Sequence, residues 1–347
     1  MVCTAFSPVS FRRHGLLALV LALVLMAAAA SGRASDMTST LIISGSRIDV
    51  NIESGDWKLS QADLIHWVQL AGEAVATYFG RYPISHLEIR IASFDGNGVR
   101  NGTTWGRDDG GLIKISVGTQ TPPSELAEDW MLTHEMTHLA FPSVADDHHW
   151  IEEGIATYVE PIARIQAGQM TALSMWTDLA RDMQKGVPRP DDKGLDHTHN
   201  WASTYWGGAL FCFMADVEIR EKTQNKLGLQ DALRGILNAG GDIRYDWKLE
   251  EAFKVGDRAT GTSVLTDLYG KMKDQPMPVD LSTMWKQLGI ESDGKTVHLN
   301  DDAPQAAIRR AMTSPDTAKS PHPASALRPT AVYAGRSATS SRRSEES

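Results

Sequence analysis

Residues 134–138 read His-Glu-Met-Thr-His, and this pattern constrains the chain more than anything else in it. Two histidines four positions apart meet on one side only if the segment is an α-helix, where they sit one above the other on the same face. That is the spacing at which a metal ion takes both imidazoles and leaves the glutamate between them free as a base. With 11 histidines and 16 glutamates among 347 residues, about 0.02 such patterns are expected by chance, so coincidence is a poor explanation. The spacing predicts one helix over 123–140, starting near Ser124 behind Pro122 and Pro123. Leu132, Met136 and Leu139 fall on another of its faces as core contacts.

Two histidines hold zinc poorly, and a catalytic zinc site uses three protein ligands with one position left open. The candidates for the third follow Pro142 and a polar loop (Ser143, Asp146, Asp147), in a second helix expected over 149–166 that reads Trp-Ile-Glu-Glu-Gly-Ile-Ala-Thr-Tyr-Val-Glu from Trp150. Glu153 is the expected ligand, because Gly154 beside it lets two helices approach closely. Glu160, seven residues on, shares its face and is placed to accept the free N–H of a ligating histidine. Glu152 is read as a solvated acid of the first turn. The competing explanation for both glutamates is that they favour the positive end of the helix.

The pairing of His134–His138 with the Glu153–Gly154 helix resembles the gluzincin metallopeptidases, whose third zinc ligand is the glutamate of an EG step on the next helix. Thr204, Tyr205, Trp206, Gly207, Gly208, Ala209 and Leu210, running into Asp216, Glu218, Ile219 and Arg220, are similar to the YxKG segment of the aminopeptidase N and glycyl aminopeptidase families. The resemblance covers roughly residues 100–240. It implies an α+β, zincin (thermolysin-like) catalytic domain with a small β-containing N-terminal lobe and a mainly helical C-terminal lobe. It also implies zinc on His134, His138 and Glu153, with Glu135 taking the proton of a water that attacks a scissile carbonyl, and with Tyr205 stabilising the oxyanion. Gly207 stands where those families have lysine, the 14 residues between His138 and Glu153 make a shorter loop, and no GxMEN-like segment precedes residue 134. That segment carries the glutamate that holds a free amine, so an endopeptidase is expected ahead of an aminopeptidase of the same clan. A non-catalytic zinc-bearing envelope binding protein is the reading from a different class.

Along the rest of the chain the β-rich part comes first and the helical part second. A hairpin is expected over 40–51, broken at Ser44, Gly45 and Ser46. A helix follows, capped by Ser60 and stopped at Gly80, with the stripe Leu64, Val68, Ala71, Val75 and Phe79. A strand is expected from His86 to Ala92. Glycine-rich residues 95–111 read as turns and a hairpin, leading to a strand from Leu112 to Val117. That strand, with Thr103, Thr104 and Trp105 nearby, is the expected edge on which an extended peptide adds, Trp105 being a candidate substrate contact. Further helices are expected over 170–184, 202–223, 228–238 and 259–273. The domain reading is 35–121 and 122–302 as one catalytic unit, with 303–347 a disordered tail poor in large apolar residues.

Arg12, Arg13 and His14 precede an apolar run from Gly15 to Ala30, and Ser31, Gly32 and Ala34 follow, as in a signal peptide over 1–34. At 16 residues the run falls short of the roughly 20 that span a bilayer, so export to the periplasm or medium is expected, without a lasting membrane span. The net charge of −9 divides unevenly, with +3 in residues 1–34, −16 in 35–302 and +4 in the tail. A body that acidic repels phosphate backbones, which excludes a nucleic-acid partner and leaves a peptide or protein substrate. Cys212 is the one thiol beyond the signal and reads as a buried small hydrophobe. His197 and His199, just ahead of Tyr205, are candidate pocket-lining residues. His148 and His149 read as surface, and Asp216 with Arg220 as a structural ion pair.

Overall fold

The computed structural model describes residues 36–294 and 296–314. The expected signal peptide and the part of the expected tail beyond residue 314 lie outside these residues. The chain opens with β1 (Met37–Ile43) and β2 (Ser46–Ile52), an antiparallel hairpin. The helix α1 (Gln61–Phe79) follows. Ser60 caps it: its hydroxyl accepts the Asp63 N–H while the Asp63 carboxylate accepts the Ser60 N–H, and Gly80 ends it at φ 76°. The remaining strands are β3 (His86–Phe94), β4 (Val99–Arg107) and β5 (Gly110–Gly118).

The five strands form one mixed sheet in the order β1-β2-β3-β5-β4. Parallel pairing joins β2 to β3 and β3 to β5, and antiparallel pairing joins β4 to β5. Strand alternation gives the sheet two unlike faces. Ile48, Val50, Ile52, Leu87, Ile89, Ile91, Ile113, Ile115 and Val117 are buried on the helix side. Asp49, Glu88, Arg90 and Lys114 belong to the opposite set, where Arg47 and His86 pair with Asp49, and Arg90 and Arg107 with Glu88.

The edge of this sheet differs from the expectation. The strand Leu112–Val117 is internal, flanked by β3 and β4, and the edge on this side is β4, the first arm of the hairpin expected in the glycine-rich stretch. Its glycines answer to close approaches. A Cβ on Gly102 would come within 2.5 Å of the Glu135 carboxylate, and one on Gly106 within 2.2 Å of the Ile243 carbonyl oxygen.

The helical part begins with α2 (Pro123–Ala127) and α3 (Met131–His138), where one continuous helix was expected. Asp129 makes the break: its carboxylate accepts the Leu132 N–H and the indole N–H of Trp67, both at 3.2 Å, which caps α3 and ties it to α1. Leu132, Met136 and Leu139 are fully buried, as their spacing predicts. Next come α4 (His149–Gln166) and α5 (Ala172–Asp182). A π-helical stretch over Ala202–Gly207 leads into α6 (Gly208–Lys222). Gly154 and Gly208 bring α4 and α6 into backbone contact, since a Cβ on Gly154 would lie 2.3 Å from the Gly208 backbone. Asp216 and Arg220 form a buried ion pair at 2.9 Å, joined by the Tyr158 hydroxyl, and Cys212 is buried.

Beyond these lie α7 (Leu229–Asn238), α8 (Leu249–Thr260), α9 (Val264–Met272) and α10 (Leu281–Leu288). The small hairpin β6 (Ile290–Ser292) and β7 (Val297–Leu299) and a last helix, α11 (Ala306–Thr313), complete the described chain. The expected helix over 259–273 is two pieces parted at Gly261, whose φ of 68° stops α8. The tail expectation also needs correction, because residues 303–314 are folded. Ala306, Ile308 and Met312 are buried, and the Arg309 guanidinium donates to the carbonyls of Leu288, Gly289 and Asn300 and to Asp301. One arginine satisfying three carbonyls anchors a segment whose composition is apolar-poor. No helix among the described residues is long and apolar enough to cross a membrane.

Candidate metal centre

Helices α3 and α4 converge on one point. His134 Nε2 lies 3.1 Å and His138 Nε2 3.7 Å from Glu153 Oε2, and one ligand atom from each residue falls within a 4.8 Å cluster. A tetrahedral zinc with bonds of roughly 2.0–2.1 Å separates its ligand atoms by about 3.4 Å, so two imidazoles and a carboxylate at these distances fit zinc. The electrostatics suit ligation. Burial, reinforced by the neighbouring His134, pushes His138 down to about 3, which keeps its ring neutral with a lone pair to give. Burial alone would raise Glu153, but hydrogen bonds from His134 and His149 outweigh it and hold the carboxylate well below its usual range.

Glu135 follows His134 on α3 and faces β4. Its side chain is buried, and the Thr104 hydroxyl reaches its Oε2 at 2.5 Å and its backbone carbonyl at 3.0 Å. Gly102, two residues back along the same face of β4, leaves room for the carboxylate. Burial raises the Glu135 pKa against the lowering effect of the Thr104 bond. A carboxylate so placed is a stronger proton acceptor than one in water.

Tyr205 comes from the π-helical stretch between Trp201 and Gly208. Such stretches concentrate at functional sites because they turn a side chain out of the helical register. Its ring stacks on His134 with centroids 6.1 Å apart and planes 15° apart. Burial and the nearby Glu153 and Glu135 carboxylates push its hydroxyl up to about 12, so it stays protonated as a donor. Trp201, 61% exposed, stacks on Tyr205 at 5.8 Å, and Trp130, 49% exposed, meets His134 edge-on at 5.4 Å. Four rings thus run in a row past the metal ligands and end in an indole at each side.

The structure therefore brings together His134, Glu135, His138, Glu153 and Tyr205, and it separates the other expected residues from them. Trp105 sits between Thr104 and Gly106, so alternation along β4 sends it to the outer face, where Lys114 lies 5.3 Å over its ring. His197 pairs with Asp274 at 3.1 Å in an exposed position, and His199 is exposed with no hydrogen bond or ion pair among the described residues. Glu160 is buried near the centre, but its carboxylate takes Arg164, one turn further along α4, at 3.1 Å. Among the described residues the Nδ1 of His134 has no partner, and no hydrogen bond joins Glu160 to His134 or His138.

Three contacts escaped the sequence reading. The sequence places Thr104 only near a peptide-binding edge, whereas its hydroxyl meets the Glu135 carboxylate. His149, which the sequence places at the surface, bridges Glu152 at 3.0 Å and Glu153 at 3.3 Å. Asp196, buried, receives Trp150 Nε1 at 2.8 Å and the Tyr269 hydroxyl at 2.7 Å and lies 3.1 Å from His148 Nδ1, which anchors the start of α4. The signal for His149 was available, since it lies four residues before Glu153 just as His134 lies four before His138.

A metal-binding helix of the HExxH kind, a following helix that presents a glutamate, and a five-stranded sheet behind them define a gluzincin-type centre. Neither a protein-family model nor a curated protein sequence matches the chain. Among solved structures the match is of fold. The aminopeptidase N family protein from Idiomarina loihiensis superposes with a TM-score of 0.58 at 13% identity, over 74% of this chain and 49% of that one. The M1 zinc metallopeptidase from Deinococcus radiodurans gives a TM-score of 0.46 at 16% identity, over 71% and 54%. A mutant of it bound to a Tyr-Ser-Ala substrate gives 0.46 at 14%, over 70% and 53%. The chain spans about half the length of the solved structures it matches. Its fold, a sheet-bearing N-terminal lobe followed by helices, is similar to that of the part of the Idiomarina protein it superposes on.

Proposed function

We propose that the protein is an exported zinc-dependent metallopeptidase. The observation that carries the reading is the convergence of His134 Nε2, His138 Nε2 and Glu153 Oε2 beside a buried carboxylate and a protonated tyrosine. Zinc held by these three residues would supply the Lewis acidity that activates water and polarises a carbonyl. Glu135 receives the proton, and Thr104 with Gly102 fixes where its carboxylate can stand. The Tyr205 hydroxyl donates to the oxygen on which charge develops. An extended peptide pairs with β4, the sheet edge on the Glu135 side, through backbone hydrogen bonds. Export is argued from residues 12–34 alone.

Cleavage within a chain is the preferred specificity. A free-amine substrate needs a carboxylate to receive its ammonium, and β4 carries none, its charged side chains being Arg100 and Arg107. Glu152 and Glu153 are both engaged by His149. The Idiomarina protein's family name favours the alternative, removal of N-terminal residues. Metal analysis with a peptide library presented both free and N-acetylated tests both levels. One zinc per chain is expected, with hydrolysis of acetylated peptides and a loss of about 10²- to 10⁴-fold in Glu135→Gln. A zinc-free protein, or hydrolysis untouched by Glu135→Gln, defeats the metallopeptidase reading, and cleavage confined to free amines replaces the endopeptidase by an aminopeptidase.

A further inference from the structure

The two oxygens of the Glu153 carboxylate have different surroundings. Oε2 faces His134 and His138, and Oε1 lies 3.3 Å from His149 Nε2. The other ring nitrogen of His149, Nδ1, lies 3.0 Å from Glu152 Oε2, and Glu152 Oε1 accepts the Val144 N–H at 3.3 Å. A line of contacts thus runs from the backbone of the loop before α4, through a carboxylate and an imidazole, to the carboxylate that faces both histidines. Both nitrogens of His149 thus stand against carboxylate oxygens, Nδ1 hydrogen-bonded to Glu152 and Nε2 within ion-pair range of Glu153.

We propose that His149, steadied by Glu152, is a positioning residue that holds the second oxygen of Glu153 so that the first stays turned towards His134 and His138. The inference rests on the zinc reading above and adds a part to it. An i, i+4 pair between exposed side chains is worth only a few tenths of a kcal/mol. Glu153 is not exposed: its side chain retains 9% of its accessible surface while His149 retains 54%. A buried carboxylate with one oxygen unpartnered is free to rotate, and a donor fixed from outside removes that freedom. Partners of this kind typically contribute 10- to 100-fold in metal affinity. The half-exposed ring fills no core space, so its truncation leaves the packing of α4 in place.

The test measures zinc affinity on the full chain by competition with a chromophoric chelator, beside thermal unfolding of the metal-free proteins. His149→Ala is expected to weaken zinc by roughly 10- to 100-fold, His149→Gln, which keeps a donor, to recover part of the loss, and Glu152→Ala to shift affinity the same way by less. A purely structural ion pair would lower the unfolding temperature of the variants and leave zinc affinity alone, and that result overturns the inference. So does a wild-type protein that binds one zinc no more tightly than His149→Ala. A wild-type protein that binds no zinc overturns the metallopeptidase reading and this inference together, so the two failures are told apart by the wild-type stoichiometry. Should His149→Ala fail to fold, His149→Gln and Glu152→Ala decide the matter by the same affinities.

Discussion

Gly102 on β4 lies against the carboxylate of Glu135 on α3, so closely that a Cβ there would stand 2.5 Å from Oε1 and 2.8 Å from Cδ and Cγ. The sheet edge and the helix of His134 and His138 are fitted to each other at the carboxylate proposed to take the proton. Gly102→Ala is expected to displace the carboxylate and reduce kcat by about 10²-fold, the usual cost of misplacing a reacting group by about 1 Å. Zinc content should stay at one per chain, because among the described residues no hydrogen bond or ion pair joins His134, His138 or Glu153 to β4. Turnover and metal analysis on the same preparation check both halves.

Removing the Tyr205 hydroxyl isolates the donor role proposed for it. In Tyr205→Phe the ring can keep its stacking on His134, so zinc binding and KM should change little while kcat falls by about 10²- to 10³-fold. Steady-state kinetics on one peptide separates this from a binding defect, which would raise KM instead.

The Gly154–Gly208 contact sets the distance between the helix that carries Glu153 and the one that follows Tyr205. Gly154→Ala forces a methyl into the Gly208 backbone and should cost roughly 1–3 kcal/mol of stability, with loss of activity and weaker zinc binding as the helices part. Gly270→Ala, at a glycine with nothing within 4 Å of its Cβ position, is the matched control and should unfold no earlier than wild type. Thermal unfolding of the pair reads the difference.

Glu160 gives the protein a pH-dependent stability term. Burial raises its carboxyl from an ordinary 4.5 to about 7, against the pull of Arg164. The folded state therefore holds the proton more firmly than the unfolded one, and the contribution is present below about 4.5 and lost as pH rises through about 7. The full span corresponds to about 3 kcal/mol. Glu160→Gln, which cannot ionise, should gain on wild type as pH rises from 5 to 8, and unfolding temperatures measured across that range would show it.

What was legible from the sequence follows a physical division. Helix α1 was readable because Ser60, Asp63, Gly80 and the apolar stripe all act within a turn or two of each other. The ordered segment 303–314 was not, since Arg309 ties it to the carbonyls of Leu288 and Gly289, up to 21 residues away, and that order is a long-range matter. At the site, the choice of His134, Glu135, His138 and Glu153 needed only helical spacing, a glycine beside Glu153 and a resemblance that also supplied Tyr205. Glu160 shows where that method stops. Facing the right way along α4 did not give it His134, because Arg164 on its own helix was the nearer partner.

By itself the sequence determined which side chains could gather on one helix face, because an α-helix makes residues four apart neighbours whatever surrounds it. Only the tertiary structure decided that β4 and not β5 is the edge, that Thr104 faces Glu135 while Trp105 turns away, and that His149 reaches Glu153. Strand order sets the edge, and with it the face that each residue of β4 presents. The packing of α4 against α3 brings Glu153 to the two histidines. Both depend on how distant segments pack, which no local spacing encodes.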